Sequence, residues 1–141
     1  SPLEWILKSD MVYRQRITWD RCGMQAFNPV RFYRVEEDLY VLGKGAKGFF
    51  WNKEAAKYLS VWRIPPSRNE QHPCSFPKEL VRRCIEAFSE EGMVVLDPMM
   101  GSGSVVLTAK EMGRFGIGMD ISPNYCEMVE SQVKQKWSEQ K

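Results

Sequence analysis

The second half of the chain alternates between a helix-like and a strand-like spacing of hydrophobic positions. Pro77 stands at a typical first helical position, and Gly92 is a typical stop after the last apolar residue. Apolar residues between them recur three or four positions apart, which is the period of a helix with one buried face. We therefore predict a helix from about residue 78, with its apolar stripe at Leu80, Val81, Cys84, Ile85 and Phe88.

A strand, a helix, a second strand and a second helix follow in the same manner. The pattern predicts strands at 93–96 and 115–119, and a helix at 104–112 that ends at Gly113. Ser122 and Pro123 are typical of a helix start. The stripe of that last helix is Tyr125, Met128, Val129 and Val133. This order is typical of an α/β protein with a doubly wound sheet of parallel strands.

The first half is rich in aromatic and basic residues and has a weaker pattern. Residues 15–19 and 37–44 have strand-like content, while 21–35 reads as a loop and 52–60 as a short helix. Four prolines in 63–77 indicate an extended connector. We expect one domain over 1–141, in which residues 1–62 supply strands and a loop, 63–77 the connector, and 78–141 a ligand-binding α/β half.

Composition excludes several classes of protein. The 141 residues are 43% hydrophobic with a formal net charge of +2, which supports a core but is weak for a nucleic-acid footprint. The four cysteines have no metal or redox spacing, and no apolar run reaches the length of a membrane span. We expect a soluble cytoplasmic protein without a metal. The first residues read as mid-domain sequence without an initiating Met, so we also expect a fragment.

The turn after the first strand of the second half carries the candidate chemistry. Asp97 ends that strand at the carboxyl edge of a parallel sheet, where such folds bind ligands. Gly101 and Gly103 let the chain turn sharply in front of a helix N-terminus. Asp120 ends the next strand and can accept hydrogen bonds from both hydroxyls of a ribose. We therefore interpret the segment as a site for an adenosine-containing ligand. The alternative is a plain strand–turn–helix in which the glycines have no ligand-binding role.

The identity of that ligand depends on two further residues. A dinucleotide site should carry a third small residue where Val106 stands, and a bulky residue there opposes close helix–strand packing. Asp97 would repel a pyrophosphate, but it suits the ammonium group of an amino acid. S-adenosylmethionine (SAM) joins adenosine to such a cation and is the favoured cofactor. A nicotinamide dinucleotide stays open as the alternative.

Several segments resemble the DNA amino-methyltransferases, which methylate adenine N6 or cytosine N4. Residues 96–106, LDPMMGSGSVV, resemble their D-P-F-x-G-S-G-T motif, and 113–128 resemble the G-R-x-x-I-G segment that follows. The segment HPCSFPKEL, 72–80, is similar to their H-P-x-x-F-P segment. Residues 17–22 and 32–45 resemble two strands that precede it. The resemblance implies a Rossmann-like methyltransferase fold in the permuted order, with the catalytic motif upstream of the SAM motif.

The resemblance also implies roles for individual residues. Asp97 would face the methionine end of SAM, Asp120 would hold the ribose hydroxyls, and Ile121 would flank the adenine. The residues implied to line the turn or close the pocket are Met99, Gly101, Ser102, Gly103, Ser104, His72, Cys74, Ser75 and Phe76. Met99 replaces an aromatic residue of the family, Ser104 replaces Thr, and Asp120 is shorter than the commoner Glu. The alternative interpretation of His72, the single histidine, is a structural residue that turns the chain before Pro73.

The family's catalytic signature, D/N/S-P-P-Y/F/W, is absent from these 141 residues. Pro65-Pro66 has Ile64 before it and Ser67 after it, and Ser122–Tyr125 follows the wrong strand. The motif is expected upstream of Ser1 or in a partner chain, unless the enzyme is degenerate. The implied function is methyl transfer from SAM to an exocyclic amine of DNA, in the cytoplasm of a prokaryote or phage and within restriction–modification. The alternative is a non-catalytic subunit that binds SAM and DNA.

Basic residues among aromatic ones suggest a surface that contacts DNA phosphates. An equally ordinary reading is that aromatic residues cover a core from an edge strand. The candidate DNA-binding residues are Arg21, Arg31, Arg34, Arg63 and Arg68. The sequence GKGAKG at 43–48 is a literal G-x-G-x-x-G, but no helix signal opens at its last glycine, so a flexible loop is the better interpretation.

Overall fold

A computed structural model describes residues 2–23, 30, 32, 34–45, 49–66 and 76–138 of the chain. They form four α-helices, one short 3₁₀ helix and five strands. In chain order these are α1 Pro2–Lys8, β1 Val12–Asp20, β2 Glu36–Gly43, the 3₁₀ helix Lys53–Tyr58, β3 Val61–Arg63, α2 Lys78–Phe88, β4 Val94–Asp97, α3 Ser104–Glu111, β5 Phe115–Gly118 and α4 Pro123–Ser138.

The first three strands form one sheet in the order β2–β1–β3. β1 pairs antiparallel with β2 and parallel with β3, and its register with β2 shifts between Tyr13 and Gln15. Alternate residues of β1 and β3 face inward, as the period of a strand dictates. They join the first residues of α2 in one buried cluster: Ile17, Trp19, Trp62, Ile64 and Leu80.

The last two strands form a separate parallel pair. Val94 lies opposite Phe115, and Asp97 lies opposite Gly118. Helix α3 connects the two strands, as a parallel pair requires. Helices α2 and α3 pack together through Val81, Ile85 and Ala109, against which Val95 and Val105 are partly buried. The predicted apolar face of α2 is therefore the face that forms this core.

The two faces of the β4–β5 pair differ. Val95, Gly116 and Gly118 lie on the face against the helices, and all three are at least half-buried. Val94, Leu96, Phe115 and Ile117 lie on the other face and are 48–66% exposed. In the described part of the chain, helices thus cover one face of this sheet, where a doubly wound sheet has helices on both.

The elements predicted for the second half are confirmed to within two residues at each end. The strands predicted at 15–19 and 37–44 are also confirmed, and the predicted short helix is a 3₁₀ helix. α1 and β3 were not predicted, and β3 extends into the first residue of the proposed connector. Residues 67–75 of that connector lie outside the described residues, and the division into three segments stays a prediction. Within the described residues, no helix has the length and apolar character to span a membrane.

Candidate cofactor site

The turn after β4 runs alongside the end of β5. The Met119 amide donates to the Asp97 carbonyl at 2.9 Å, and the Met100 amide donates to the Met119 carbonyl at 2.9 Å. The Asp97 carboxylate accepts the Met99 amide at 3.0 Å, which starts the turn. These bonds extend the β4–β5 ladder beyond the strands and fix the turn at the carboxyl edge of the sheet. Both predicted acids lie at that edge.

The two glycines of the motif occupy backbone conformations that favour glycine. Gly101 has φ of 48° and Gly103 has φ of 79°, both in the left-handed region. A Cβ on Gly103 would lie 2.6 Å from Cγ2 of Val129 in α4. Gly103 is also the N-cap of α3 and gives it no side-chain hydrogen bond. The first turn of α3 therefore presents backbone N–H groups without a side-chain cap, as an anion or polar ligand requires.

Asp120 fastens the turn to the end of β5. One carboxylate oxygen accepts the Gly101 amide at 3.0 Å, and the other accepts the Ser122 amide at 2.9 Å. A carboxylate has about four lone-pair positions, so each oxygen keeps one for a further donor. Asp120 can therefore position the glycine turn and accept a ligand hydroxyl at the same time. The first of these two roles was not predicted.

Glycines in β5 make the close packing beneath the turn possible. A Cβ on Gly116 would lie 2.7 Å from the backbone oxygen of Val106, and one on Gly118 would lie 2.2 Å from the Met100 sulfur. The expectation that Val106 opposes close helix–strand packing was wrong. The space that a small helix residue would provide comes instead from the strand.

Two apolar side chains flank the turn without being buried by the protein. Met99 is 83% exposed and Ile121 is fully exposed. Ser102 and Ser104 lie in the turn between the two acids, with their hydroxyl oxygens 3.5 Å apart. A bound ligand could therefore find carboxylates, hydroxyls, backbone N–H groups and apolar contacts within one crevice. The role of each residue toward a ligand remains a prediction.

Of the residues predicted to close the other side of the pocket, Phe76 is the one that the structure describes. Phe76 is half exposed, and its ring packs edge-on against Trp19 at a centroid distance of 6.3 Å. His72, Cys74 and Ser75 lie outside the described residues. The structure therefore brings together the predicted residues from Asp97 to Ile121, and it places Phe76 against the first sheet.

The described arginines among the DNA-binding candidates pair with acids of the first sheet. Arg21 lies 2.5 Å from Glu37, and Arg63 lies 3.4 Å from Asp20. Arg34 lies 3.4 Å from both Glu36 and Asp38. A DNA phosphate would have to compete with these carboxylates, although exposed pairs of this kind are worth only about 0–1 kcal/mol. Arg31 and Arg68 lie outside the described residues.

The sequence analysis did not predict which buried residues pack against the glycine turn after β4. Met100, Val106 and Val129 form a buried cluster between the turn, α3 and α4. Val129 was assigned to the apolar stripe of α4, but nothing in a single sequence indicated which residue it would meet. The glycines at 116 and 118 were the available signal, since glycine in a strand often marks close approach of another backbone.

Comparisons with known proteins agree with this architecture. The type II methyltransferase M.XycI of Xanthomonas campestris pv. cyanopsidis is 30% identical over 142 residues, which cover 92% of this chain and 45% of that protein. The orphan methyltransferase M.BamHII of Bacillus amyloliquefaciens is 36% identical over 90 residues, covering 58% of this chain and 34% of that protein. The crystal structure of the M1.HpyAVI–SAM complex matches with a TM-score of 0.71 at 23% identity, covering 92% of this chain and 66% of that one.

The fold is therefore the Rossmann-like fold of SAM-dependent methyltransferases. The family model described as DNA methylase, of the N6/N4 type, matches residues 2–131. The chain belongs to this N6/N4 DNA methylase family. It spans less than half the length of the two curated relatives named above.

Proposed function

We propose that this chain is the SAM-binding part of a DNA methyltransferase that methylates the exocyclic amine of adenine (N6) or cytosine (N4). The observation that carries the proposal is the glycine turn held between two acids at adjacent parallel strand ends. The Asp120 carboxylate accepts a hydrogen bond from the Gly101 amide in that turn at 3.0 Å, and the Asp97 carboxylate accepts one from the Met99 amide at the start of the turn. Family membership and the SAM-bound structural neighbour support the same cofactor.

The side chains of the turn fit the separate parts of SAM. Asp97 would bind the ammonium group of the methionine portion, and Asp120 would accept ribose hydroxyls with its remaining lone pairs. Met99 and Ile121 would contact the methionine chain and the adenine, since both are exposed beside the turn. The cofactor supplies a reactive methyl group when bound. The chain itself contributes orientation, since methyl transfer depends on alignment of the two reacting atoms.

The acceptor side of the reaction would come from outside these 141 residues. The tetrapeptide D/N/S-P-P-Y/F/W does not occur in them. In the permuted order it lies upstream of the SAM motif, in the same polypeptide or in a partner chain. The absence of this tetrapeptide also favours a second candidate, a SAM- and DNA-binding subunit without catalytic activity. A DNA partner and a prokaryotic cytoplasmic setting belong to the proposal in either form.

The deciding experiment is calorimetric titration of the purified chain with SAM, with NADH as the control ligand. Micromolar binding of SAM and no heat with NADH are expected. Binding of NADH instead would overturn the cofactor assignment and return the dinucleotide alternative. A folded sample that binds neither would contradict the proposal that this chain carries a complete cofactor turn.

Asp120→Ala is expected to weaken SAM binding by about 1–3 kcal/mol, because it removes hydrogen-bond acceptors from the ribose and from the turn. Asp10→Ala is the matched control, since Asp10 is exposed in the first loop far along the chain from the turn. Both variants should remain folded by circular dichroism. Equal SAM affinity in the wild type and a folded Asp120→Ala variant would show that Asp120 does not hold the cofactor.

The candidate DNA contacts are tested separately by salt dependence. If Arg21, Arg34 and Arg63 contact phosphates, replacing all three by Gln should flatten the dependence of DNA affinity on salt. The measurement uses the assembled methyltransferase and a nonspecific duplex. An unchanged salt slope would leave these arginines as partners of the acids that they contact in the first sheet.

A further inference from the structure

The outer edge of β1 is open along part of its length. β3 pairs with residues 18–20, and among the described residues no strand lies beside residues 13–17 on that side. The Thr18 amide donates to the Ser60 carbonyl at 2.9 Å where the pairing begins. Backbone groups of a strand alternate between its two edges, so the N–H and C=O of Arg16 point to the same side as those of Thr18. This stretch of β1 is therefore an edge to which another strand can add.

The conformation of Leu59 explains where the pairing of β1 and β3 begins. Leu59 ends the 3₁₀ helix with a positive φ of 59°, which residues other than glycine seldom adopt. The chain turns there, and pairing with β1 starts two residues later at Val61. The Leu59 side chain is 78% exposed, so burial does not compensate for the backbone strain. Strain of this kind beside an open strand edge is typical of a binding site.

An apolar pocket lies on the inner face of this edge, with a volume of about 320 Å³. Two of its lining residues, Ile17 and Trp62, belong to the buried cluster that includes Leu80 of α2, which places the pocket on the α2 side of the sheet. The other apolar lining residues that the argument uses are Trp51, Ala55, Leu59 and Phe88. Trp51 is 40% exposed, so an apolar side chain that enters the pocket would contact its indole.

A basic pocket lies on the outer face of the same edge, with a volume of about 510 Å³. Its lining residues are Tyr13, Arg14, Gln15, Arg16, Tyr40 and Ser60. Arg16 lies opposite Tyr40 in the register and next to Ile17 in the chain, so its side chain is on the face away from the apolar pocket. It is 58% exposed and lies 3.8 Å from Asp38, a carboxylate that Arg34 also contacts. The described lining has two guanidinium groups and no carboxylate, and the pocket therefore favours an acidic group.

The two pockets meet at the open edge, because Gln15 and Ser60 line both of them. Successive side chains of a strand point to opposite faces of its sheet. A strand added beside β1 would therefore place every second side chain in the apolar pocket and the side chains between them against Arg14 and Arg16. Strand addition takes its affinity from main-chain hydrogen bonds and its specificity from pockets for alternate side chains.

We propose that the open edge of β1 and its two pockets bind an extended segment of a partner protein in which apolar and acidic residues alternate. The segment pairs with residues 13–17, and its apolar side chains enter the pocket beside Trp51. Its carboxylates contact Arg16 and Arg14, whose described hydrogen bond goes to an uncharged acceptor, the Gly45 carbonyl, at 2.8 Å. Neither pocket shares a lining residue with the glycine turn, so the proposal goes beyond cofactor binding and does not depend on it.

Two other occupants fit these observations less well. A nucleic-acid strand would satisfy the arginines, but its backbone has no ladder of N–H and C=O groups to pair with the open edge of β1. A second copy of this chain would pair its β1 edge with the same edge about a two-fold axis. That pairing would bring Arg14 and Arg16 of the two copies close together, and like charges across a strand pair are destabilising.

The test measures binding of fluorescently labelled peptides to the 141-residue chain by anisotropy. The probe is a hexapeptide of alternating Val and Glu with blocked ends, and saturable binding is expected. A hexapeptide of alternating Val and Lys should not bind, because its ammonium groups would face the arginines. Methylating one alternate set of backbone nitrogens in the Val–Glu peptide should weaken binding about tenfold, since that set donates to β1, while methylating the other set should have little effect.

Arg16→Glu should raise the dissociation constant of the Val–Glu peptide about tenfold or more, because it places a carboxylate against those of the peptide. Arg82→Glu is the matched control. It makes the same change in net charge, and Arg82 is exposed on α2 and lines neither pocket. Both variants should remain folded by circular dichroism, and Arg82→Glu should leave the dissociation constant nearly unchanged.

No binding of the Val–Glu peptide, equal binding of the Val–Lys peptide, or an equal loss in the two variants would overturn the proposal. A single-stranded oligonucleotide that binds more tightly and displaces the peptide would also overturn it, since the occupant would then be a nucleic acid. Self-association of the chain that the peptide reverses would overturn it in favour of a second copy.

Discussion

The two sheets of this chain are stabilised by different kinds of packing. In the C-terminal region, β5 approaches the backbone of α3 so closely at Gly116 that an added Cβ would lie 2.7 Å from the Val106 oxygen. In the N-terminal region, large aromatic side chains fill the space between β1, β3 and α2. The C-terminal region thus adds a close backbone contact to its side-chain clusters, whereas the core of the N-terminal region consists of contacts between side chains.

The aromatic cluster of the N-terminal region also contains polar contacts. The indole of Trp19 donates to the Ile64 carbonyl at 2.7 Å. The guanidinium of Arg83 lies 4.6 Å from the Tyr58 ring centroid and 5.7 Å from that of Trp62. Side chains can repack by changing rotamers, whereas a backbone contact has no such freedom. The glycine turn after β4 therefore lies in the less tolerant of the two regions.

The sharpest test of this difference is Gly116→Ala. The added Cβ would lie 2.7 Å from the Val106 backbone oxygen, so α3 must move away from β5. We expect a loss of about 3 kcal/mol in the free energy of unfolding, at the upper end for an added methyl group in a packed interior. Urea unfolding of the 141-residue chain measures this value.

Ile117→Ala is the control, from the next position of the same strand. Ile117 lies on the face of the β4–β5 pair that no described helix covers and is 48% exposed, so its truncation should lower the free energy of unfolding by less than about 1 kcal/mol. Equal effects of the two substitutions would contradict the difference between the face that packs against α3 and the face that no described helix covers.

Gly103→Ala should have the next largest effect, about 2 kcal/mol. The alanine would be held at φ of 79°, and its Cβ would lie 2.6 Å from Cγ2 of Val129. In a Val129→Ala background the contact is relieved while the left-handed backbone remains, so the same substitution should cost about 1 kcal/mol. A double-mutant cycle measures this coupling, and a coupling near zero would show that Val129 does not limit the position of the turn.

The C-terminal region could be predicted from the sequence because its signals are local. Gly92 and Gly113 have positive φ where the helix and turn signals end, and a short strand begins two residues after each of them. The position of the glycine turn between Asp97 and Asp120 follows directly from that order. The position of the turn was therefore predicted correctly, and the roles of its residues toward a cofactor stay a prediction.

The features that were missed depend on residues distant in the chain. β3 has three residues and exists because it pairs with Thr18, Trp19 and Asp20 of β1. The pairing of Arg21 with Glu37 follows from the antiparallel register of β1 and β2. The alternation of small and large residues in β5, at Gly116 and Ile117, was the one local signal for two unlike faces. Its meaning depended on where α3 would lie.

The smallest effect is expected at the edge of the N-terminal region, where the Tyr58 hydroxyl donates to the Glu86 carboxylate at 2.5 Å. This hydrogen bond, followed by the contact with Lys57, holds the pKa of Glu86 below its ordinary value of 4.5. A carboxylate with a lowered pKa in the folded state stabilises the protein above that ordinary value, and the stabilisation is lost as pH falls through the folded-state pKa.

Tyr58→Phe should therefore lower the free energy of unfolding by about 0.5–1 kcal/mol at pH 7 and make the acid limb of the stability curve shallower below about pH 4.5. Tyr13→Phe is the control, because Tyr13 is half exposed on β1, and it should leave the curve unchanged. Urea unfolding between pH 3 and pH 7 provides the measurement. A loss in Tyr58→Phe as large as that in Gly116→Ala would mean that the N-terminal region is as intolerant of substitution as the backbone contact between β5 and α3.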